Sequence, residues 1–279
     1  MVTAIPACRA LAVRLMRTAA RFALGLVVCM WTSVVSLGAE FQVCSPPLDE
    51  FIEFTFPKNN LGDWSGQRLL KYAHPPKLIV LAPAKKLGLK DTVTDVFARI
   101  AKDSLRTPLD SSFDTYESFE QAGAKIDHLG GHGIFVIIAD PLDPSLKPGE
   151  LRSVLEKVLG SRAKAEKLAS DSESNPGYLA NNTINILTGE VISTASVVSP
   201  NYDDTRIGLA IYAAYYFALS PGATSLGDFY SRVFEGSFDG TLETGITLTE
   251  FGREYFRTFS DRRVVFGMTP KDFVECPNQ

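Results

Sequence analysis

Gly130-Gly131-His132-Gly133-Ile134-Phe135-Val136-Ile137-Ile138-Ala139-Asp140-Pro141 decides the fold. The run Ile134 to Ala139 is apolar without interruption and rich in β-branched residues. Three glycines precede it, and Asp140-Pro141-Leu142-Asp143-Pro144 ends it. A short apolar run bounded by turn residues reads as a strand buried on both faces, so it is assigned to the centre of a sheet. A second strand is predicted at Leu78 to Leu81, between Pro75-Pro76 and Pro83. Phe51, Ile52, Phe54 and Phe56 suggest a third, ended by Pro57-Lys58-Asn59-Asn60. Thr183–Leu187 and Val191–Val198 pair as a hairpin across Thr188-Gly189-Glu190.

Helices are expected between these strands. Val93, Val96, Phe97 and Ile100 recur at helical spacing, with Lys102 and Arg106 suited to the far end. Glu150 to Ala169 reads as a surface helix that Gly160 interrupts, and Asp171 to Gly177 as a polar loop. Asp203 to Leu219 is the most apolar helix, opened by Asp203 and Asp204 as capping carboxylates and stopped by Ser220-Pro221-Gly222. Shorter helices follow around 226–234 and 249–259. Residues 107–132 allow either a helix face or an irregular segment carrying Phe113, Tyr116 and Phe119. Separated strands and helices with no linker or repeat predict one α+β domain over 40–279, with a mixed or antiparallel sheet and several packed helices.

Residues 1–39 are read apart from that domain. They hold Arg9, Arg14, Arg17 and Arg21, no acid, an apolar run from Phe22 to Leu37, and small residues at Ser36, Gly38 and Ala39. That order predicts a cleaved secretory signal, with cleavage after Gly38 or Ala39 and a periplasmic or secreted product. The whole chain has 28 basic and 32 acidic side chains; removal of four arginines leaves 24 against 32, a formal charge of −8. A net acidic chain without a basic run is a poor partner for nucleic acid. No apolar stretch after the signal is long enough to cross a membrane. Cys8 and Cys29 leave with the signal, so Cys44 and Cys276 are expected to form a disulfide joining the two ends of the domain.

Candidate chemistry is sparse. The chain has three histidines. His128 and His132 stand four apart and, with Asp127 or Asp140, are the candidate metal ligands. The competing reading places both histidines at a glycine turn before the central strand, and His74 in a local turn before Pro75-Pro76. The zinc-protease pattern H-E-x-x-H, a G-x-S-x-G elbow and a phosphate loop are all absent. Ser193, Ser196 and Ser199 have no histidine close in sequence, and Asn181-Asn182-Thr183 matches a glycosylation acceptor. Tyr212, Tyr215 and Tyr216, with Tyr202, either floor an apolar groove or belong to the core.

The C-terminal half resembles a family of exported bacterial proteins of unknown function, regarded as distant relatives of zinc metallopeptidases. The resemblance rests on the hairpin 183–198, the helix 203–219, Leu248-Thr249-Glu250-Phe251, and Phe259-Ser260-Asp261-Arg262-Arg263 running to Gly267-Met268-Thr269. Arg262 stands where that family has proline. The helix expected to carry a peptidase signature reads Asp203-Asp204-Thr205-Arg206-Ile207-Gly208-Leu209-Ala210, with neither histidine nor glutamate. The resemblance implies export and a degenerate metallopeptidase-like fold without the catalytic pair. The leading expectation is a non-catalytic exported domain, without cofactor, that binds a peptide, an envelope protein or a small ligand. The alternative is a divergent, metal-dependent hydrolase centred on His128 and His132.

Overall fold

The central run is strand β5, Gly133–Ile138, and it is buried along its whole length. Its neighbours are β3 (Leu78–Pro83) on one side and β7 (Glu190–Val198) on the other, both parallel to it. β4 (Ser111–Tyr116) extends the sheet parallel to β3, and β6 (Tyr178–Asn185) runs antiparallel along all of β7. Because β6 takes one whole edge of β7, β2 (Lys71–Tyr72) and β5 share the other, β2 at residues 190–191 and β5 from residue 193. The sheet is therefore mixed, as one of the two expected arrangements had it.

The computed structural model describes residues 40–56, 67–103, 109–140, 149–174, 178–221 and 226–277. The expected signal at 1–39, the expected turn at 57–60 and the Asp143-Pro144 pair lie outside the described residues. All the elements described belong to one compact unit, Phe41–Gln279.

Alternation along the strands sorts the side chains into two cores. Leu78, Val80, Ala82, Ile134, Val136 and Ile138 face one layer; Ile79, Leu81, Phe135 and Ile137 face the other. The first layer is covered by α1 (Leu48–Thr55), α2 (Lys90–Asp103), α6 (Asp204–Leu219) and α8 (Glu250–Phe259). The second is covered by α3 (Phe119–His128), α4 (Glu150–Leu159) and α5 (Arg162–Ser174). Each apolar side chain taken out of water in this way contributes about 1.5–3 kcal/mol. The result is helices on both faces of a largely parallel sheet.

Two expectations need correction. Phe51 to Phe56 is not a strand: residues 48–55 form α1, preceded by Pro47. Its exposed Asp49, Glu50 and Glu53 share one helical face, and Phe51, Ile52, Phe54 and Thr55 fill the buried one. The charges carry the helical period; the aromatic residues alone obscure it. The expected polar loop from Asp171 is in fact the last turn of α5, which runs on to Ser174. Gly160 does break the preceding helix, at φ +58°, where its backbone N–H caps Glu156. Residues 107–132, left open by the sequence, hold β4 and then α3, whose N-cap Ser118 accepts from the Gln121 amide.

The Asp203 side chain caps α6 through the Arg206 amide, as expected. This helix is buried almost all round, which places it inside the structure between the sheet and α2. Gly208 permits that approach: a Cβ there would sit 2.9 Å from Thr92 Cγ2 and 2.8 Å from Leu242 Cδ2. The remaining elements are α7 (Leu226–Val233), the small pair β8 (Phe234–Glu235) and β9 (Thr247–Leu248), and the terminal pair β1 (Phe41–Val43) and β10 (Phe273–Glu275). β1 and β10 are parallel, and just beyond them Cys44 and Cys276 form a disulfide with their Cα atoms 4.9 Å apart. Among the described residues no helix is long and apolar enough to cross a membrane.

Candidate functional site

The site begins with one helix. α8 starts at its N-cap Thr249, whose hydroxyl accepts from the Gly252 amide, and it turns Phe256 and Phe259 inward. Arg253 and Arg257, four residues apart, stay on its exposed side. Opposite stands β2, whose Lys71 reaches across to the end of the helix. Its ammonium donates to the carbonyls of Phe259 (2.5 Å), Asp261 (3.2 Å) and Val264 (2.6 Å), and lies over the Phe259 ring. The last carbonyls of a helix lack partners within it, so Lys71 acts at Phe259 as a C-cap from another element, and at Asp261 it shares the carbonyl with the Val264 amide. Burial lowers its pKa to about 8, against a smaller upward pull from Asp261.

Between α8, the 260–266 loop, β2 and the end of α6 lies a cleft of about 780 Å³. Tyr72, Tyr215, Tyr216, Leu248, Phe256, Phe259 and Val264 are its buried members and form the floor. Its exposed members form the rim, the polar His74, Arg253, Arg257, Ser260 and Arg262 beside the apolar Ala73, Pro75 and Val265. Parallel α/β sheets ordinarily bind ligands outside the carboxyl ends of their strands. This cleft lies at the opposite end, beside Pro75, Pro76 and Leu109, which precede β3 and β4.

A polar chain runs in behind the floor. The Tyr212 hydroxyl donates to Asp103 Oδ2 (2.7 Å), and the Arg99 guanidinium covers the Tyr212 ring at 4.1 Å. Arg99 itself is held by the carbonyls of Leu242 and Ile246. The Tyr216 hydroxyl is buried beside the Tyr212 hydroxyl, which with Asp103 adds to the effect of burial on it. Burial pushes the pKa of Tyr215 up to about 12 and those of Tyr212 and Tyr216 further still, Asp103 adding to the latter two.

The tyrosines thus divide between core and groove. Tyr212, Tyr215 and Tyr216 are 0%, 7% and 1% exposed and belong to the main core, while the faces of Tyr215 and Tyr216 line the cleft. Tyr202 lies elsewhere, on a smaller hollow with Arg206, Tyr230, Phe238 and Asp239.

The four candidate metal ligands are not brought together. Asp127 pairs with Lys157, and His128 ends α3. His132 precedes β5 and Asp140 follows it; the six strand residues between them span about 20 Å. Asp140 instead accepts from the Asn201 side chain at 3.0 Å. No group of three or more His, Cys, Asp or Glu suited to a metal occurs among the described residues. Ser193 donates to the Val158 carbonyl and Ser199 accepts from the Asn201 amide, both structural contacts. On α6, where a peptidase signature was sought, Asp203 is a cap and Asp204 pairs with Lys86.

Sequence reasoning missed Lys71, Arg253, Arg257 and Arg262. The arginines at i and i+4 on a predicted helix were a readable signal for one cationic face. Lys71 had none, because its partners lie about 190 residues further along the chain. His74 does sit at a bend, as expected, and its ring stands on the cleft rim.

Neither a family model, nor a curated protein, nor a solved structure aligns with this chain. Function is therefore argued from the cleft alone.

Proposed function

We propose that this chain is a non-catalytic, exported binding domain and that the cleft beneath α8 is its binding site. The observation that carries the reading is a hollow of about 780 Å³ whose floor is buried aromatic and aliphatic side chains and whose rim sets His74 and three arginines among apolar residues. That is the volume and the wall chemistry by which proteins hold small organic ligands. Tyr215, Tyr216, Phe256 and Phe259 supply rigid contact area at low entropic cost. Lys71 keeps the 259–264 segment in place, so the wall is formed before a ligand arrives. The disulfide suits an oxidising compartment, which supports export.

The test uses Nile red, an uncharged apolar dye. Purified protein lacking residues 1–39 takes up the dye with a fluorescence gain, and Leu219→Trp, which adds bulk at a half-buried position of the cleft, weakens that uptake at least tenfold with the circular dichroism spectrum retained. Absence of any uptake by the wild-type protein overturns the assignment of the cleft.

A further inference from the structure

We infer that the ligand of this cleft is a small amphipathic acid: an aliphatic or aromatic body carrying one carboxylate. The inference rests on the cleft being the binding site, and it adds the chemistry of the occupant.

The charge around the cleft is uneven once existing partners are counted. Seven ionisable groups other than tyrosine line it: Lys71, His74, Asp103, Arg253, Arg257, Asp261 and Arg262. Lys71 spends its donors on three backbone carbonyls. Asp103 accepts from Tyr212, and Asp261 is bonded through both oxygens by Arg263. Both anions are thus already engaged by donors of the protein. Arg253 gives one guanidinium nitrogen to the Leu248 carbonyl. Arg257 and Arg262 form no ion pair with any described residue, and both stand exposed on the rim.

The surplus is therefore cationic and lies on the solvent side, above an apolar floor. Arginine presents paired donors in a plane that matches a carboxylate. An occupant that satisfies both layers has an apolar part to cover Tyr215, Phe256 and Phe259 and an acid group to meet Arg257 and Arg262. A purely apolar ligand would leave the arginines unused. A polyanion such as a nucleotide would place several charges against an aromatic floor.

Free fatty acids and peptides ending in an apolar residue share this chemistry, and two ligand pairs tell them apart. Dodecanoate and dodecanol differ only at the head group, as do an acetylated dipeptide ending in phenylalanine with a free carboxylate and its amide. Each competes with Nile red at low salt, below any micellar concentration. The acid is expected to bind at least tenfold more tightly than its uncharged partner in one pair, and the pair with the tighter acid identifies the source. In the Arg257→Gln/Arg262→Gln protein the acid-to-neutral ratio falls below about threefold. In Arg152→Gln, on α4 in the opposite helical layer, the ratio is retained. Because both rim arginines are exposed, added salt should also shrink the ratio. Equal binding of acid and neutral partner in both pairs overturns the inference while Nile red uptake leaves the binding site standing. A ratio that survives the double arginine substitution overturns it too. If no probe binds, the cleft assignment and the inference fall together.

Discussion

Replacing Cys44 and Cys276 with serine tests how the ends of the domain are held. The bridge closes a loop of 232 residues. In the chain-entropy treatment that loop length corresponds to about 18 cal/mol/K, or about 5 kcal/mol at 25 °C, taken from the unfolded ensemble. In the native state the serine protein keeps other ties between its ends. β1 and β10 pair from Phe41↔Phe273 to Val43↔Glu275, and the Cys276 amide donates to the Val43 carbonyl. Phe273 packs against Phe41, Phe51 and Phe56. The native contacts thus survive, and the loss falls on the unfolded side. With an unfolding entropy of about 2.1 cal/mol/K per residue over residues 41–279, the melting temperature should drop by about 10 °C. The unfolded chain also expands without its cross-link, so the urea m-value should rise. Both are read from thermal and urea unfolding of the Cys44→Ser/Cys276→Ser protein followed by circular dichroism. A drop of less than about 3 °C with an unchanged m-value would refute the reasoning, since the bridge would then constrain nothing that β1 and β10 do not.

Three further outcomes are expected. Lys71 has its pKa lowered to about 8 from 10.5, so between those values the unfolded chain binds the extra proton and stability rises with pH. Wild type should gain on Lys71→Met by up to about 3 kcal/mol from pH 8 to 10.5 in urea melts, whereas a constant gap between the two proteins would remove the burial of the ammonium as a factor. For Tyr215 and Tyr255 the sign is opposite: burial holds them up to about 12, so their contribution is intact below pH 10 and is lost as pH climbs toward 12. Their ultraviolet ionisation signal should appear only together with loss of ellipticity; a smooth titration of every tyrosine near pH 10 in folded protein would contradict the burial. Finally, Gly189 has φ +83° and a Cβ there would stand 2.6 Å from the Leu69 carbonyl oxygen, so Gly189→Ala should cost about 2–3 kcal/mol. Gly88→Ala, with open space around it, should stay within about 0.5 kcal/mol in the same denaturation series, and a similar small effect at Gly189 would show that the backbone yields there.

The sequence by itself determined whatever local pattern controls. The run Ile134–Ala139 is short, β-branched, bounded by turn residues and apolar at every position, which fits a strand covered on both faces, so its place at the centre of the sheet was legible. The Asp203 cap, the break at Gly160 and the pairing of the hairpin follow from backbone chemistry within a few residues, although its turn falls at 186–189 rather than 188–190 and its first strand begins at Tyr178. The disulfide could be expected because only two cysteines, Cys44 and Cys276, lie beyond residue 39. Where two periods competed, local reading failed: in Phe51–Phe56 the aromatic residues pointed to a strand, while the tertiary core selected the helix whose charges at 49, 50 and 53 face water. The cleft depended on tertiary structure altogether. It draws Lys71 from β2, Tyr215 and Tyr216 from α6, and Arg253, Arg257 and Arg262 from the C-terminal segment. Its polarity follows from which partners each charge finds across nearly 200 residues of chain, as Lys71 does at Phe259, Asp261 and Val264. Periodicity sets which way a side chain faces within its own element. Which charges are then neutralised, and which remain on a rim, is set only when the elements pack.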